Sequence, residues 1–390
     1  MRQVSGRQGH TVTNLSGKSA YESFCPSSLA QVIPLKPDVE LTRILSACSL
    51  KVGELEGMSR FLPQANLYLA MYVCKEALLS AQIEGTQCTL DDVLSSTVGT
   101  GISRDVGDVV NYIAASEYAV ELMDDLPICS RLLKEVHRIL LKDARGSDRE
   151  PGELRMSQNW VGPSNSTIAT APYVPPNPDD MRTALSDLER FINSESAIDP
   201  IAKAALIHYQ FETIHPFLDG NGRLGRLLIT LSLMNDGVLA KPLLYPSYQL
   251  KLRRNEYYDW LTRVRETGDY EGWVKFFCEC LLASAEDAIG SLMKLVECHD
   301  ESESQIRAFM GRARPNAIEL LRLLESYPIL NVPFISEKLG VGRSTANTLV
   351  KDFCRLGILR QSDETRQRYR SFVYERYLAI LREGGDPLSM

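Results

Sequence analysis

The sequence predicts a mainly α-helical protein: a helical bundle with a β-hairpin, followed by a small winged helix-turn-helix domain. Three observations support this fold class. Long segments carry apolar residues at helical spacing. One stretch, 155–178, is rich in proline, glycine, serine and asparagine and cannot be helical. Residues 310–390 change to short helices and strands.

The first clear helix is predicted at 64–83. The segment lacks glycine and proline, and apolar residues recur every three or four positions at Leu67, Met71, Cys74 and Leu78. Gly85 follows as a natural C-terminal cap. Further helices are predicted from about 89, at 106–123, 129–141, 179–192 and 200–209, after position 222, around 257–261 and at 272–282.

The non-helical stretch 155–178 predicts a short hairpin around Gly162-Pro-Ser-Asn-Ser. In the last part, helices are predicted at 317–326, 332–339 and 344–356, then two strands around a charged tip. The charged residues 299–304 suggest a boundary. We therefore expect a flexible tail at 1–20, an N-terminal helical region at 21–110, a helical core at 111–290 and a winged helix-turn-helix at 310–390.

Composition narrows the classes of function. A chain of 390 residues is too long for one ordinary domain. With 44% apolar and 24% charged residues it is typical of a globular protein, and the net charge of −7 argues against wholesale nucleic-acid coating. No apolar stretch is long enough to cross a bilayer, and residues 1–20 lack a signal-peptide core. We expect no membrane association.

The nine cysteines are scattered, odd in number and without a Cys-x-x-Cys pair, which does not suit a disulfide framework. A reducing, cytoplasmic compartment is expected. Cys74, Cys278 and Cys354 lie in helix-like apolar settings and are predicted to be core thiols. Cys298-His299 alone makes no metal site.

Residues 215–226, His-Pro-Phe-Leu-Asp-Gly-Asn-Gly-Arg-Leu-Gly-Arg, carry the strongest chemical signal. A helix is predicted to start after the glycines, so its free N–H groups and dipole can bind an anion. Gly220 and Gly222 allow the backbone to approach a phosphate. Asp219 is a hard oxygen ligand suited to Mg²⁺, and His215 can accept a proton. These residues predict a phosphate-centred transfer reaction.

This run matches every fixed position of the Fic-family signature, His-x-Phe-x-(Asp/Glu)-Gly-Asn-Gly-Arg-x-x-Arg. The chain thus resembles the Fic family over roughly residues 20–290. The resemblance implies an all-α bundle with a β-hairpin flap, and transfer of AMP from ATP to a protein hydroxyl with release of pyrophosphate. The intact Asp-Gly-Asn-Gly turn favours nucleotidyl transfer over the reversed-nucleotide kinases of the family, but another diphosphate donor stays open.

The resemblance implies the following roles. His215 is the general base, Phe217 a packing residue, and Asp219 holds Mg²⁺ against the phosphates. ATP contacts are expected from Gly220 to Gly222 with the Asn221 side chain, from Arg223, and from Arg226 at the γ-phosphate. The flap would approach the adenine base of the nucleotide through Thr170, Ala171, Pro172 and Tyr173. Tyr258 either lines the adenine pocket or is a core tyrosine.

A second motif, Ser80-Ala-Gln-Ile-Glu84-Gly85, resembles the family's inhibitory pattern (Ser/Thr)-x-x-x-Glu-(Gly/Asn). Ser80 and Glu84 share a helix face, and an anion at a helix C-terminus benefits from a cationic partner. Arg226 is the expected partner, and Glu84 would then compete with the γ-phosphate of ATP. Glu84 could also assist removal of AMP from a modified target. The alternative is an ordinary surface glutamate.

Two functions of different class follow. The first is a self-inhibited adenylyltransferase acting on Ser, Thr or Tyr of target proteins or of itself. The second is a DNA-binding transcriptional regulator whose Fic core senses a nucleotide. Basic and polar residues of the C-terminal module could contact DNA, but acidic neighbours dilute their charge. Whether the chain forms a homodimer stays open. The candidate DNA contacts are Arg343, Ser344, Thr345, Asn347, Thr348, Lys351, Arg366, Arg368 and Arg370.

Overall fold

A computed structural model describes residues 6–61, 65–96, 103–163, 165–195, 197–363, 365 and 370–387. The helices are α1 (Leu29–Val32), α2 (Val39–Phe61), α3 (Ala65–Ile83), α4 (Leu90–Ser95), α5 (Arg104–Leu122), α6 (Ser130–Leu140), α7 (Pro178–Asn193), α8 (Pro200–Ile214), α9 (Asn221–Asn235), α10 (Ser247–Leu252), α11 (Arg254–Thr267), α12 (Tyr270–Phe309), α13 (Arg314–Ser326), α14 (Val332–Lys338), α15 (Arg343–Arg355) and α16 (Glu375–Arg382). The strands are β1 (Gly9–Asn14), β2 (Tyr21–Pro26), β3 (Ile329–Asn331), β4 (Arg360–Gln361) and β5 (Ser371–Val373). The mainly α prediction is confirmed.

Helices α8 and α9 pair in the middle of the bundle, flanked by α3, α5, α6, α7 and α12. Asp199 caps α8 by accepting from the N–H groups of Ile201 and Ala202, and Pro200 follows at the first helical position. Nearly every residue of α8 and α9 is buried, because the two helices pack on each other and are surrounded by other helices. This rigid pair carries the candidate site at the end of α8 and the start of α9.

The predicted flexible tail at 1–20 is wrong for the part that the structure describes. β1 and β2 form an antiparallel hairpin, with Gly9 opposite Pro26 and Asn14 opposite Tyr21. Arg7 makes an ion pair of 2.9 Å with Glu271. The sequence does not predict these strands because their residues are mostly polar. A two-stranded ribbon buries little side-chain surface, and here backbone pairing and the Arg7–Glu271 ion pair stabilise the region.

Helix α2, which packs along α12, is long and was not predicted from the sequence. In the predicted hairpin region, the described residues form one isolated antiparallel bridge, between Val161 and Tyr173. The Phe24 N–H donates to the Val174 carbonyl at 2.9 Å, so the N-terminal hairpin supports this region.

The C-terminal residues form α13–α16 with a three-stranded antiparallel sheet in the order β3-β5-β4. Helix α13 packs on α3, and α16 packs on α12. The assignment as a winged helix-turn-helix, like the domain limits, stays a prediction, and Arg366 and Arg368 lie outside the described residues. Among the described residues, no helix is both long and apolar enough to cross a membrane.

The charged stretch 299–304 lies inside α12 and is not a linker. His299 Nδ1 is 2.5 Å from a Glu325 carboxylate oxygen, and the Ser302 hydroxyl is 2.7 Å from the Tyr374 hydroxyl. One side of the helix is charged there, while the other packs on the C-terminal residues, and the expected boundary stays a prediction.

Two of the three predicted core thiols are confirmed, since Cys74 and Cys278 are buried. Cys354 is exposed, which contradicts the prediction. It follows the buried Phe353 on α15 and lies just outside the apolar stripe of that helix.

Candidate active site

Residues 215–222, which we call the anion loop, join α8 to α9. His215 ends α8 in the left-handed region with φ 50°, and Gly220 precedes α9 with φ 75°. Glycine adopts such a φ without strain, but a histidine there must be held by its surroundings. The first N–H groups of α9 have no acceptor within the helix, so the loop offers donors and a positive dipole end to an anion.

Asn221 holds the loop closed from within. Its side-chain oxygen accepts from the Phe217 N–H at 2.9 Å, and its side-chain N–H donates to the Phe217 carbonyl at 2.9 Å. Asn221 is 1% exposed. The expected contact of its side chain with phosphate is therefore not supported, because both ends of the amide are already used to shape the loop.

His137, on α6, holds the middle of the loop and was not found from the sequence. Its ring stacks on Phe217 with the centroids 3.9 Å apart. Nδ1 accepts from the Gly152 N–H at 2.8 Å, so the ring proton is on Nε2, which donates to the Asp219 carbonyl at 2.9 Å. Burial lowers the pKa of His137 to about 4, which keeps the ring neutral.

Arg155 holds the start of the loop and was also missed. Its Nε donates to the His215 carbonyl at 2.9 Å, and Nη2 donates to the carbonyls of Pro176 at 2.5 Å and Ile214 at 3.4 Å. Burial lowers its pKa to about 10. The guanidinium therefore caps α8 from a distant part of the chain and fixes the left-handed His215.

His215 itself is set up to accept a proton. Burial lowers its pKa to about 4, so the imidazole is neutral near pH 7. Nδ1 lies 3.3 Å from the Glu212 carbonyl oxygen, which can only accept. Nδ1 therefore carries the hydrogen, and the lone pair is on Nε2. A neutral Nε2 beside an anion site can act as a general base.

A polar cavity of about 160 Å³ opens beside the anion loop. It is lined by Glu84, Thr86, Asp108, Arg145, His215, Leu218, Asp219, Gly220, Asn221, Gly222 and Arg223. The anion loop supplies one wall, and the ends of α3 and α5 supply residues of the other. The structure thus brings the predicted base, turn, Asp219, Arg223 and Glu84 together around one space.

Arg223 is placed by two carboxylates. Its Nη1 is 3.5 Å from Asp108 Oδ1, and its Nη2 is 3.9 Å from Asp219 Oδ1. Arg223 Nη1 is buried and has no hydrogen-bond partner among the described residues. Asp108 is 1% exposed and was not found from the sequence. A buried guanidinium N–H without an acceptor is available to a phosphate oxygen.

Asp219 presents a partly exposed carboxylate, 38% of the side chain, at the same cavity. Its Oδ1 accepts from the Gly220 N–H at 2.6 Å. The described residues contain no cluster of three or more side chains suited to a metal ion. Protein ligands at this place are therefore few, a donor set that fits Mg²⁺ held mainly by phosphate oxygens.

Glu84 lies directly on the anion loop. Its Oε1 is 2.7 Å from Arg226 Nη2, while Arg226 also donates to the Ser80 hydroxyl at 2.9 Å and the Ser80 carbonyl at 3.0 Å. A Cβ at Gly222 would lie 2.2 Å from Glu84 Oε1, so only glycine allows this approach. Burial alone would raise the Glu84 pKa, but Arg226 outweighs it and holds the pKa below its usual value.

The remaining predicted residues do not line this cavity. The Tyr173 hydroxyl donates to the Thr213 carbonyl at 2.5 Å, and the Arg265 guanidinium lies 3.9 Å from its ring centroid. Tyr173 is thus a buried anchor of the bridge, and Thr170 contacts Thr167. Tyr258, on α11, is 36% exposed, and the Arg254 guanidinium lies 5.3 Å from its ring centroid.

Family comparisons agree with this geometry. The Fic/DOC family model matches residues 127–233, and the Fic/DOC family N-terminal model matches residues 42–121. The chain is 32% identical over 227 residues to protein adenylyltransferase Fic of Drosophila yakuba and 31% identical to that of Drosophila melanogaster. Each match covers 56% of this chain and 41% of the relative, so the chain spans less than half the length of these relatives.

Solved structures show the same fold. A Fic family protein from Desulfovibrio desulfuricans G20 aligns with a TM-score of 0.56 at 22% identity, over 87% of this chain and 97% of that one. A Fic domain containing signaling protein from Bacteroides thetaiotaomicron aligns with a TM-score of 0.50 at 18% identity, over 64% and 95%.

Proposed function

Since the chain belongs to the Fic/DOC family, we propose that it is a protein adenylyltransferase, which moves AMP from ATP to a Ser, Thr or Tyr hydroxyl of a target protein or of itself. The observation that carries this proposal is the neutral His215, whose free Nε2 stands beside an anion-binding helix N-terminus. A base next to a phosphate site is what the activation of a hydroxyl at phosphorus requires.

In the proposed reaction, the target hydroxyl oxygen attacks the α-phosphorus of ATP. The bond from that phosphorus to the bridging oxygen of the β-phosphate breaks, and pyrophosphate leaves. The hydroxyl proton passes to Nε2 of His215. The backbone N–H groups of the anion loop and Arg223 Nη1, which has no hydrogen-bond partner among the described residues, stabilise the charge on the phosphate oxygens.

Asp219 would hold Mg²⁺ against the α- and β-phosphates, where the ion would neutralise their charge. The Asp219 carboxylate is partly exposed at the cavity. Its contacts are one bond from the Gly220 N–H and Arg223 at 3.9 Å, so its oxygens keep lone pairs available for a metal ion.

We also propose that Glu84 inhibits this reaction. The carboxylate occupies Arg226, the residue expected to hold the γ-phosphate, and lies against Gly222 where the phosphate chain would approach. ATP and Glu84 would then compete for the same guanidinium. In the same position Glu84 could orient a water for removal of AMP from a modified target.

A second function, DNA binding by the C-terminal residues, has one supporting observation. Arg343, Ser344, Thr348 and Lys351 are all exposed on the outer side of α15. Duplex DNA titrated against the full chain tests it: binding that weakens steeply with salt would support phosphate contacts. Absence of binding at low salt would remove this candidate.

The test of the transferase is incubation with Mg²⁺ and ATP labelled at the α-phosphate. Covalent label on the protein itself or on lysate proteins is expected, and it should be strongest for Glu84→Gly. If neither the wild-type protein nor Glu84→Gly labels any protein, while both bind ATP, the nucleotide-sensing alternative would be favoured.

A further inference from the structure

The end of α3 that carries Ser80 and Glu84 is fastened to the C-terminal residues of the chain. Between these two residues lies Gln82, which is 1% exposed. Its side-chain N–H group donates to the Gly385 carbonyl at 2.8 Å and to the Cys88 carbonyl at 3.0 Å. A buried amide needs such partners, and one of them comes from more than three hundred residues away in sequence.

Lys251, on α10, joins the same cluster. Its ammonium donates to the Gln82 side-chain oxygen at 2.7 Å, to the Gly384 carbonyl at 3.1 Å and to the Asp386 carbonyl. Lys251 is 3% exposed, and burial lowers its pKa to about 8. Backbone carbonyls of residues 384–386 therefore supply most of the acceptors for a buried cation.

The fit of this segment depends on a glycine. Gly384 has φ 77°, and a Cβ there would lie 2.0 Å from Cε2 of Tyr248 on α10. The backbone of the segment thus packs closely against the tyrosine ring. Just before it, Arg382 makes a two-point ion pair with Asp91 of α4, at 3.0 and 2.9 Å. The segment is attached by α16 on one side and by Gln82 and Lys251 on the other.

We propose that residues 383–387, here called the latch, hold the last turn of α3 in the position from which Glu84 reaches Arg226. This inference rests on the proposed inhibition by Glu84 and adds the element that controls it. When the latch is displaced, Gln82 loses a restraint two residues from both Ser80 and Glu84. The turn is otherwise closed by backbone bonds, from the Glu84 and Thr86 N–H groups to the Ala81 carbonyl at 3.1 and 3.2 Å and from Gly85 to Gln82 at 3.1 Å. Arg254 of α11 adds one more bond, from its Nε to the Ile83 carbonyl at 3.1 Å.

The latch connects the C-terminal residues to the active site. It continues directly from α16, which packs on α12, while α13 packs on α3. A partner that moves α16 would therefore withdraw the latch, loosen the end of α3 and release Arg226. The two states differ in the contacts of Gln82 and Lys251, which is the differential interaction that such coupling requires.

The test compares two matched glycine variants of the full chain. Gly384→Ala introduces a Cβ onto Tyr248, whereas Gly357→Ala has a similar φ of 73° with nothing within 4 Å of the new Cβ. The first is expected to raise automodification at least about fivefold, the lower end of typical coupling between sites. The second should leave the rate unchanged. In the Glu84→Gly background, Gly384→Ala should add nothing.

Amide hydrogen exchange at residues 81–86 gives a readout independent of catalysis, and exchange there should be faster in Gly384→Ala than in Gly357→Ala. Equal exchange in the two variants would overturn the latch. So would an unchanged rate in Gly384→Ala while Glu84→Gly is activated, or a further increase in the double variant. If Glu84→Gly is not activated but exchange differs, the latch stands and the proposed inhibition fails.

Discussion

Replacing Glu84 with glycine should activate the enzyme without disturbing the groups that would receive ATP. Glu84 follows the last residue of α3, so the substitution does not interrupt the helix. Arg226 keeps its hydrogen bonds to the Ser80 hydroxyl and carbonyl, at 2.9 and 3.0 Å, and stays oriented. The substitution removes the Glu84 carboxylate, and with it the ion pair to Arg226 and the contact with Gly222.

The size of the effect follows from this pair. Arg226 is 1% exposed, but the Glu84 side chain is 38% exposed, so the pair is partly screened. A hydrogen bond with a charged partner stabilises by roughly 1.5–3 kcal/mol. ATP must displace that interaction before its γ-phosphate can use Arg226. Since about 1.36 kcal/mol corresponds to tenfold in rate, we expect activation of about tenfold to 150-fold.

The assay is automodification with ATP labelled at the α-phosphate, at saturating ATP and Mg²⁺. Gly357→Ala, whose new Cβ meets nothing within 4 Å, serves as the control, and Arg226→Ala and Glu84→Gly/Arg226→Ala complete the cycle. The double variant should be no faster than Arg226→Ala. If Glu84→Gly labels no faster than the wild-type protein, Glu84 is not the inhibitor.

His215→Ala should abolish transfer but retain ATP binding, measured by calorimetry; wild-type labelling would refute the base. Asp219→Ala should weaken turnover, as should chelation, and full activity in excess chelator would refute the metal requirement. His137→Phe keeps an aromatic ring on Phe217 but loses the bond to the Asp219 carbonyl, so turnover should fall about tenfold. Because the lowered His215 pKa is about 4, transfer should stay level from about pH 8 to about pH 6 and fall toward pH 4; a midpoint near pH 6.5 would contradict it.

The local parts of the site could be predicted from the sequence because they are neighbours in the chain. His215, Asp219 and Arg226 lie on one loop and one helix start, and Glu84 belongs to a short motif of its own. His137 and Arg155 could not be found in this way. Their hydrogen bonds reach backbone carbonyls 82 and 60 residues away. Because every residue type has a backbone carbonyl, the sequence does not indicate which one accepts the bond.

The fold, too, could be predicted from the sequence where the signal is local, and not where it depends on contacts between distant residues. The starts of α8 and α9 were predicted close to their observed positions, whereas α8 continues five residues past its predicted end at 209. The hairpin of β1 and β2 was missed because pairing, not side-chain burial, holds it. The charge of the stretch 299–304 suggests a boundary, whereas His299, Ser302 and Ile306, at spacings of three and four, mark a buried face of α12.

The fate of the two ends of ATP distinguishes transfer of AMP from transfer of the γ-phosphate. Glu84→Gly is incubated with Mg²⁺ and ATP labelled at either the α- or the γ-phosphate, and intact-mass analysis follows. We expect covalent α-label, an added mass of one AMP, no γ-label on protein, and loss of all label in Glu84→Gly/His215→Ala. Transfer of the γ-label to protein, or undiminished α-label without His215, would contradict it.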